Sequence, residues 1–346
     1  MRFVLMTLAL VFALSTPVMA MDFTAPSAPS DVQELMPAET ENFGQGLWKI
    51  AKSAVADFAP ELASAAGTCL SLIAVVMLAS VLNGMPGSSK TVIKFVSTLA
   101  VGAILLGQAN SLINLCAKTV GELSDYGKLL LPVMTAALAA QGGATSATAL
   151  YAGTAVFDTL LNSLISNLLV PMVYLFLALA IANSATGESL LKKIRDFIKW
   201  LMTWGLKIIL YVFTGYLSIT GVITGTADAA AVKAAKLTIS SVVPVVGGIL
   251  SDASEAVILG AGVMKNAVGI YGLLAIAAIF ITPFLQIGLQ FLLLKLTSAI
   301  CGVFDVKEAS ALIEDFSGAL GLLLGMTGTV CLLLLISTVC FMKGMG

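Results

Sequence analysis

The chain has 346 residues, 59% of them hydrophobic and only 11% charged, against roughly 25% charged in ordinary soluble domains. A mean hydropathy of +1.03 excludes a soluble globular protein, and a net charge of −1 leaves no basic footprint for nucleic acid. Histidine is absent, which removes Ser-His-Asp and Cys-His catalysis, histidine-ligated zinc and most haem sites, so no enzymatic activity, cofactor or metal is expected.

At the N-terminus, Arg2, an apolar stretch from Phe3 to Leu14 and Val18-Met19-Ala20 match a secretory signal peptide over 1–20, with cleavage after Ala20. The alternative is an uncleaved first membrane helix. Between Asp22 and Glu61 there are seven acids and two lysines, and Pro26, Pro29 and Pro37 break its first half. This 21–61 segment is read as a short exported acidic lead that begins disordered. Its second half, Gln45 to Phe58, places Leu47, Ile50, Ala51, Ala54 and Phe58 at helical spacing, as in an interfacial amphipathic helix.

From 62 to 346 long uncharged runs dominate, and a helix of about 20 apolar residues crosses a bilayer core. The expected fold is an all-α, polytopic membrane bundle with six spans, at about 62–82, 95–117, 155–183, 200–226, 266–294 and 316–342. Lys90 and Lys94, and later Lys192, Lys193, Arg195 and Lys199, mark cytoplasmic loops under the positive-inside rule. Leu129 to Gly187 must then cross an odd number of times, although it is long enough for two spans. Leu129 to Thr145 is expected not to cross, because Pro132 and the Gln141-Gly142-Gly143 break interrupt it; it reads as a re-entrant segment. Leu237 to Ser251, with Pro244, Gly247 and Gly248, reads as a second one. If 237–251 crosses instead, there are seven spans and a cytoplasmic C-terminus at Lys343. A shift of about 112 residues superposes Pro132 on Pro244 and Pro171 on Pro283, suggesting an internal duplication of 129–226 and 241–342 at low identity.

Asp158 is the lone charge between Leu129 and Gly187, and a carboxylate at membrane depth is costly unless paired, protonated or wet. With Lys207 and Gln141 it is the candidate for a polar conduit or relay. The plainer reading places Asp158 near the outer surface and lets Lys207 snorkel to the cytoplasmic one. Intramembrane aspartyl proteolysis needs two facing acids, and one is available. Gly221 with Gly225, and Gly321 with Gly325, have the small-xxx-small spacing of closely packed helices. Amides at Asn110, Asn114, Asn162, Asn167, Gln286 and Gln290 need partners inside the bundle or across a subunit boundary, since lipid offers none. The five cysteines read as apolar packing residues. The segment 226–265 mixes charges with apolar faces and suggests an extracytoplasmic docking surface.

The ordered phrases AAKL at 234–237, VPVVGG at 243–248, SDASEAV at 251–257, KNAVGI at 265–270 and LLPVMTAALAAQGG at 130–143 resemble the stage III sporulation protein AE family of endospore-forming Firmicutes. The similarity covers roughly 62–342 and includes the signal peptide, while the lead at 21–61 is short and acidic for the family. The resemblance implies a multi-pass protein of the mother-cell membrane facing the forespore, part of a secretion-like channel or feeding apparatus. Its implied partners are the other stage III sporulation A-operon proteins, a cytoplasmic ATPase and ring-forming membrane proteins, and indirectly the forespore channel protein. A secondary transporter with re-entrant substrate-site segments, and a non-conducting scaffold that recruits ring proteins, are the alternatives.

Overall fold

A computed structural model describes residues 25–36, 43–56, 58–86, 89–140, 144–219, 267–304 and 306–344. Among them the α-helices are α1 (Phe43–Ala56), α2 (Ala59–Asn83), α3 (Lys90–Ala140), α4 (Ala144–Leu164), α5 (Val170–Thr186), α6 (Ser189–Ile219), α7 (Ala267–Cys301) and α8 (Lys307–Gly344). A π-turn at Ile165–Leu169 joins α4 and α5 into one rod, and short 3-10 turns occupy Ser30–Leu35 and Gly302–Phe304. Six stretches are long and apolar enough to cross a membrane: Ala59–Asn83, Lys90–Ala140, Ala147–Thr186, Ser189–Leu217, Val268–Phe304 and Lys307–Lys343.

Local chemistry sets the ends. Pro60 stands in the first turn of α2, where a missing N–H costs nothing. The α5 terminus is closed by Gly187, whose φ of 76° is left-handed and whose N–H returns to the Asn183 carbonyl at 2.7 Å. Pro171 has no N–H for the fourth preceding carbonyl, and the wide π-turn just before it takes up the mismatch.

The bundle is built around α8, which packs on α3, α4, α5, α6 and α7 and is 78% buried over its most apolar stretch. α2 and α6 instead turn Leu70, Leu78, Val81, Phe197, Trp200, Trp204 and Val212 outward, as lipid-facing helices do. The connections after α2, α5 and α7 gather at one end: Lys94 pairs with Glu308 at 2.9 Å and lies beside Gly187, and the turn at Gly302–Phe304 touches α2. Arg195 pairs there with Asp315, and Lys295 with Glu314 at 2.7 Å.

At the opposite end α6 meets α4 through Tyr216, whose hydroxyl donates to the Ala149 carbonyl at 2.7 Å. There Thr154 of α4 reaches Ser337 of α8, and Gly269 of α7 abuts Met342 of α8. The end of α6 and the start of α7 therefore share one end of the bundle, the parity of the six-span reading. Residues 237–251, on which the seven-span alternative turns, lie outside the described residues, as do 1–20 and the whole of 226–265.

Two expectations are corrected. Pro132 does not break the chain: it lies inside α3, a continuous helix of 51 residues, so 129–140 runs on in the direction of 95–117 and does not dip back. Pro132 and Lys128, whose carbonyl loses its intrahelical bond, are exposed on one face of α3, while Leu130, Leu131 and Met134 are buried and hold the helix against its neighbours. The charged residues that ended the apolar run at 117 pair along the same helix, Lys118 with Glu122 at 3.2 Å and Asp125 with Lys128 at 2.8 Å. At 1.5 Å per residue α3 is about 76 Å long against a hydrocarbon core of about 30 Å, and its far half forms an antiparallel hairpin with α4. The stretch 129–187 thus contains one rod and the tail of the preceding helix.

The second correction concerns the lead. Residues 25–36 are ordered against the bundle, with Ala28 and Val32 buried. The Tyr126 hydroxyl donates to the Pro26 carbonyl and the Ala28 N–H donates to the Tyr271 hydroxyl, both at 3.4 Å. Those phenols stand on long helices of the bundle and bring their polar tips to the lead's backbone. The amphipathic helix α1 is likewise docked, with Phe43, Gly46, Ile50 and Ala54 buried, and it packs against α7. Pro171 and Pro283, equivalent under the 112-residue shift, sit differently, the first after the π-turn and the second inside uninterrupted α7.

Candidate functional site: a buried carboxylate and a polar cavity

Thr154, Asp158 and Asn162 recur every four residues and share one face of α4. That face meets α3 and α8. Asp158 is only 2% exposed; its Oδ2 accepts the Ser124 hydroxyl of α3 at 2.8 Å, and Ser124 in turn accepts the Asn162 amide at 3.3 Å. Ser166 extends the line by donating to Asn162 Oδ1 at 3.2 Å. One turn away Thr154 donates to Ser337 of α8 at 3.0 Å, both residues fully buried. The other Asp158 oxygen, Oδ1, is buried with no hydrogen-bond partner among the described residues. A carboxylate with one bonded and one bare oxygen in an apolar bundle is poised to take up a proton or a cation. Counting along α4 and α5, Asp158 stands about 42 Å from the Gly187 end, farther than a hydrocarbon core is thick.

Lys207 is half-buried on α6 and forms no ion pair with Asp158. Gln141, Gly142 and Gly143 lie outside the described residues, as do Pro244, Gly247, Gly248, Gly221 and Gly225. Gly321 faces Phe291 of α7, and Gly325 faces Leu206 of α6. Closer approaches occur at glycines outside the two Gly-xxx-Gly pairs: a Cβ on Gly127 would lie 2.8 Å from Leu334, and one on Gly153 would fall into the Tyr216 ring. All five cysteines are free and buried.

A second polar place was missed from the sequence because it joins the lead to the spans. Glu61, Ser64 and Thr68 of α2, Gln108 and Ser111 of α3, and Gln286 and Gln290 of α7 line a cavity of about 490 Å³. Gln290, 3% exposed, donates to Gln108 Oε1 at 2.7 Å, and Gln286 donates to Glu61 Oε1 at 3.4 Å. The i, i+4 glutamines signalled a polar face; nothing in sequence pointed to Glu61 as its counterpart. Elsewhere Asn110 accepts the Tyr174 hydroxyl at 2.7 Å, so amides of the apolar runs do find partners inside the chain. No group of three or more cysteine or carboxylate side chains suited to a metal occurs among the described residues.

A helical bundle with six apolar rods, a layer of ion pairs at one end and interior polar side chains bonded to one another defines a multi-pass membrane protein. The family model of Stage III sporulation protein AE matches residues 30–344, and the chain belongs to that family. Over 188 residues it is 26% identical to Stage III sporulation protein AE of Bacillus subtilis (strain 168), covering 54% of this chain and 47% of that protein. The chain thus spans about half the length of the curated relative it matches. No solved structure matches.

Proposed function

We propose that the chain acts in stage III of endospore formation as a polytopic subunit of the mother-cell to forespore channel or feeding apparatus, a secretion-like membrane core. The observation that carries the reading is the family match over residues 30–344, which takes in all six membrane rods. In this reading the end bearing Lys94, Arg195 and Lys295 faces the mother-cell cytoplasm, where the exposed Lys192 and Lys193 add positive charge. There the cytoplasmic ATPase of the same operon has access to it, while the ring-forming proteins and the segment 226–265 meet at the opposite surface. Asp158 and its Ser124–Asn162 partners supply the acidic lining of the passage near that outer boundary. The transporter alternative leaned on two proline-broken segments in equivalent places, and it loses one of them because Pro132 lies in an unbroken helix.

The test is purification of the tagged native protein from sporulating cells. Co-purification with the ring proteins and the ATPase supports the reading. Consistent absence of those proteins overturns it, and solute uptake into proteoliposomes by this chain alone overturns it in favour of a transporter.

A further inference from the structure

The cavity between α2, α3 and α7 has the chemistry of a site, and nothing in the proposed channel role requires it. Its polar groups come from three helices, so it is not one element's accidental face. Glu61 Oε1 is occupied by Gln286, but Glu61 Oε2 is buried with no hydrogen-bond partner among the described residues. Gln290 is held by its amide donation to Gln108, which leaves its carbonyl oxygen as an acceptor beside the cavity. No lysine or arginine lines the space, so an anion has no counter-charge there. One carboxylate among neutral amides and hydroxyls matches a ligand with a single positive charge. A volume of about 490 Å³ falls in the range of small-molecule sites and far exceeds a desolvated ion. No aromatic ring lines it, and rings are what recognise quaternary ammonium groups.

The geometry points to a binding site for a primary ammonium group, held by the Glu61 carboxylate with the neighbouring carbonyl and hydroxyl oxygens, three acceptors for the three N–H donors of the ligand. Glu61 lies in the first turn of α2, while Gln108 lies about 21 Å along α3 from Lys94 and Gln290 about 7.5 Å along α7 from Lys295, so the cavity sits at membrane depth between the two ends of the bundle. Two sources carry this chemistry: the headgroup of phosphatidylethanolamine in the outer part of the bilayer, and a small free amine entering from outside.

The test places a cysteine at Ser111, exposed on the cavity wall, in the full-length protein in phosphatidylcholine nanodiscs; the five native cysteines are buried. Cationic aminoethyl methanethiosulfonate should label Ser111→Cys at least about tenfold faster than anionic sulfonatoethyl methanethiosulfonate, and Glu61→Gln should abolish the preference. Protection by free ethanolamine identifies the soluble source; protection when phosphatidylethanolamine replaces part of the phosphatidylcholine identifies the lipid. Equal labelling by both reagents, or protection by sodium or potassium ions and by neither amine, overturns the assignment. Thermal melting of Ser111→Cys with and without Glu61→Gln separates loss of the site from loss of the fold: a charge preference that disappears at unchanged melting temperature supports it, and one that persists in a folded Glu61→Gln protein refutes it.

Discussion

Replacing Asp158 by asparagine or leucine separates a group kept for stability from one kept for function. In the wild-type bundle the bond from Ser124 to a charged acceptor contributes about 1.5–3 kcal/mol, while the bare Oδ1 costs about 1–3 kcal/mol. The two nearly cancel. Asp158→Asn keeps an oxygen for Ser124 and removes the charge, so stability should move by no more than about 1 kcal/mol. Asp158→Leu leaves the Ser124 hydroxyl without its acceptor but also removes the buried carboxylate, and replacing buried ionic groups by apolar ones is often neutral. It too should stay within about 2 kcal/mol of wild type. Ser124→Ala behaves differently, because it strips the last bond from a retained carboxylate and should cost about 1–3 kcal/mol. The assay is thermal melting of the purified variants together with counts of heat-resistant spores in the native host, with protein levels checked by immunoblot. Both Asp158 variants should melt near wild type and lower spore counts at least tenfold. Wild-type spore counts from both, at normal protein levels, would refute the assignment of Asp158 to the passage.

Gly153→Ala would drive a Cβ into the Tyr216 ring, which is tied to Ala149 and packed against Phe157, so it should destabilise by about 1–3 kcal/mol. Gly107→Ala meets nothing within 4 Å and should be neutral or stabilising by up to about 1 kcal/mol; comparison of the two melting temperatures checks both. Arg195→Met leaves the partly buried Asp315 without its main partner and should cost about 3 kcal/mol, the low end for a broken buried pair because Asp315 keeps some exposure and Lys199 also acts on it. The double variant Arg195→Met, Asp315→Leu should recover most of that loss in the same melting experiment.

The membrane class, the six rods and their parity were legible in the one-dimensional pattern, because hydrocarbon demands long uncharged helices wherever the chain crosses, and charge placement alone then orders the loops. The presence of an odd carboxylate at 158 was equally plain. Its partner Ser124 was not, since a lone serine carries no signal until α3 lies alongside α4. Pro132 misled for a related reason: a proline in an apolar run reads as a break, yet it falls on the exposed face of α3 while the opposite face is packed, so the helix runs through it and continues to residue 140. Glu61 looked like the tail of an acidic lead until α2 and α7 brought it to Gln286. Local composition thus determined which segments are helical and which must avoid water. Which polar groups end up facing one another depended on contacts between residues far apart in the chain, such as the 225 positions separating Glu61 from Gln286, and those follow from how the rods pack.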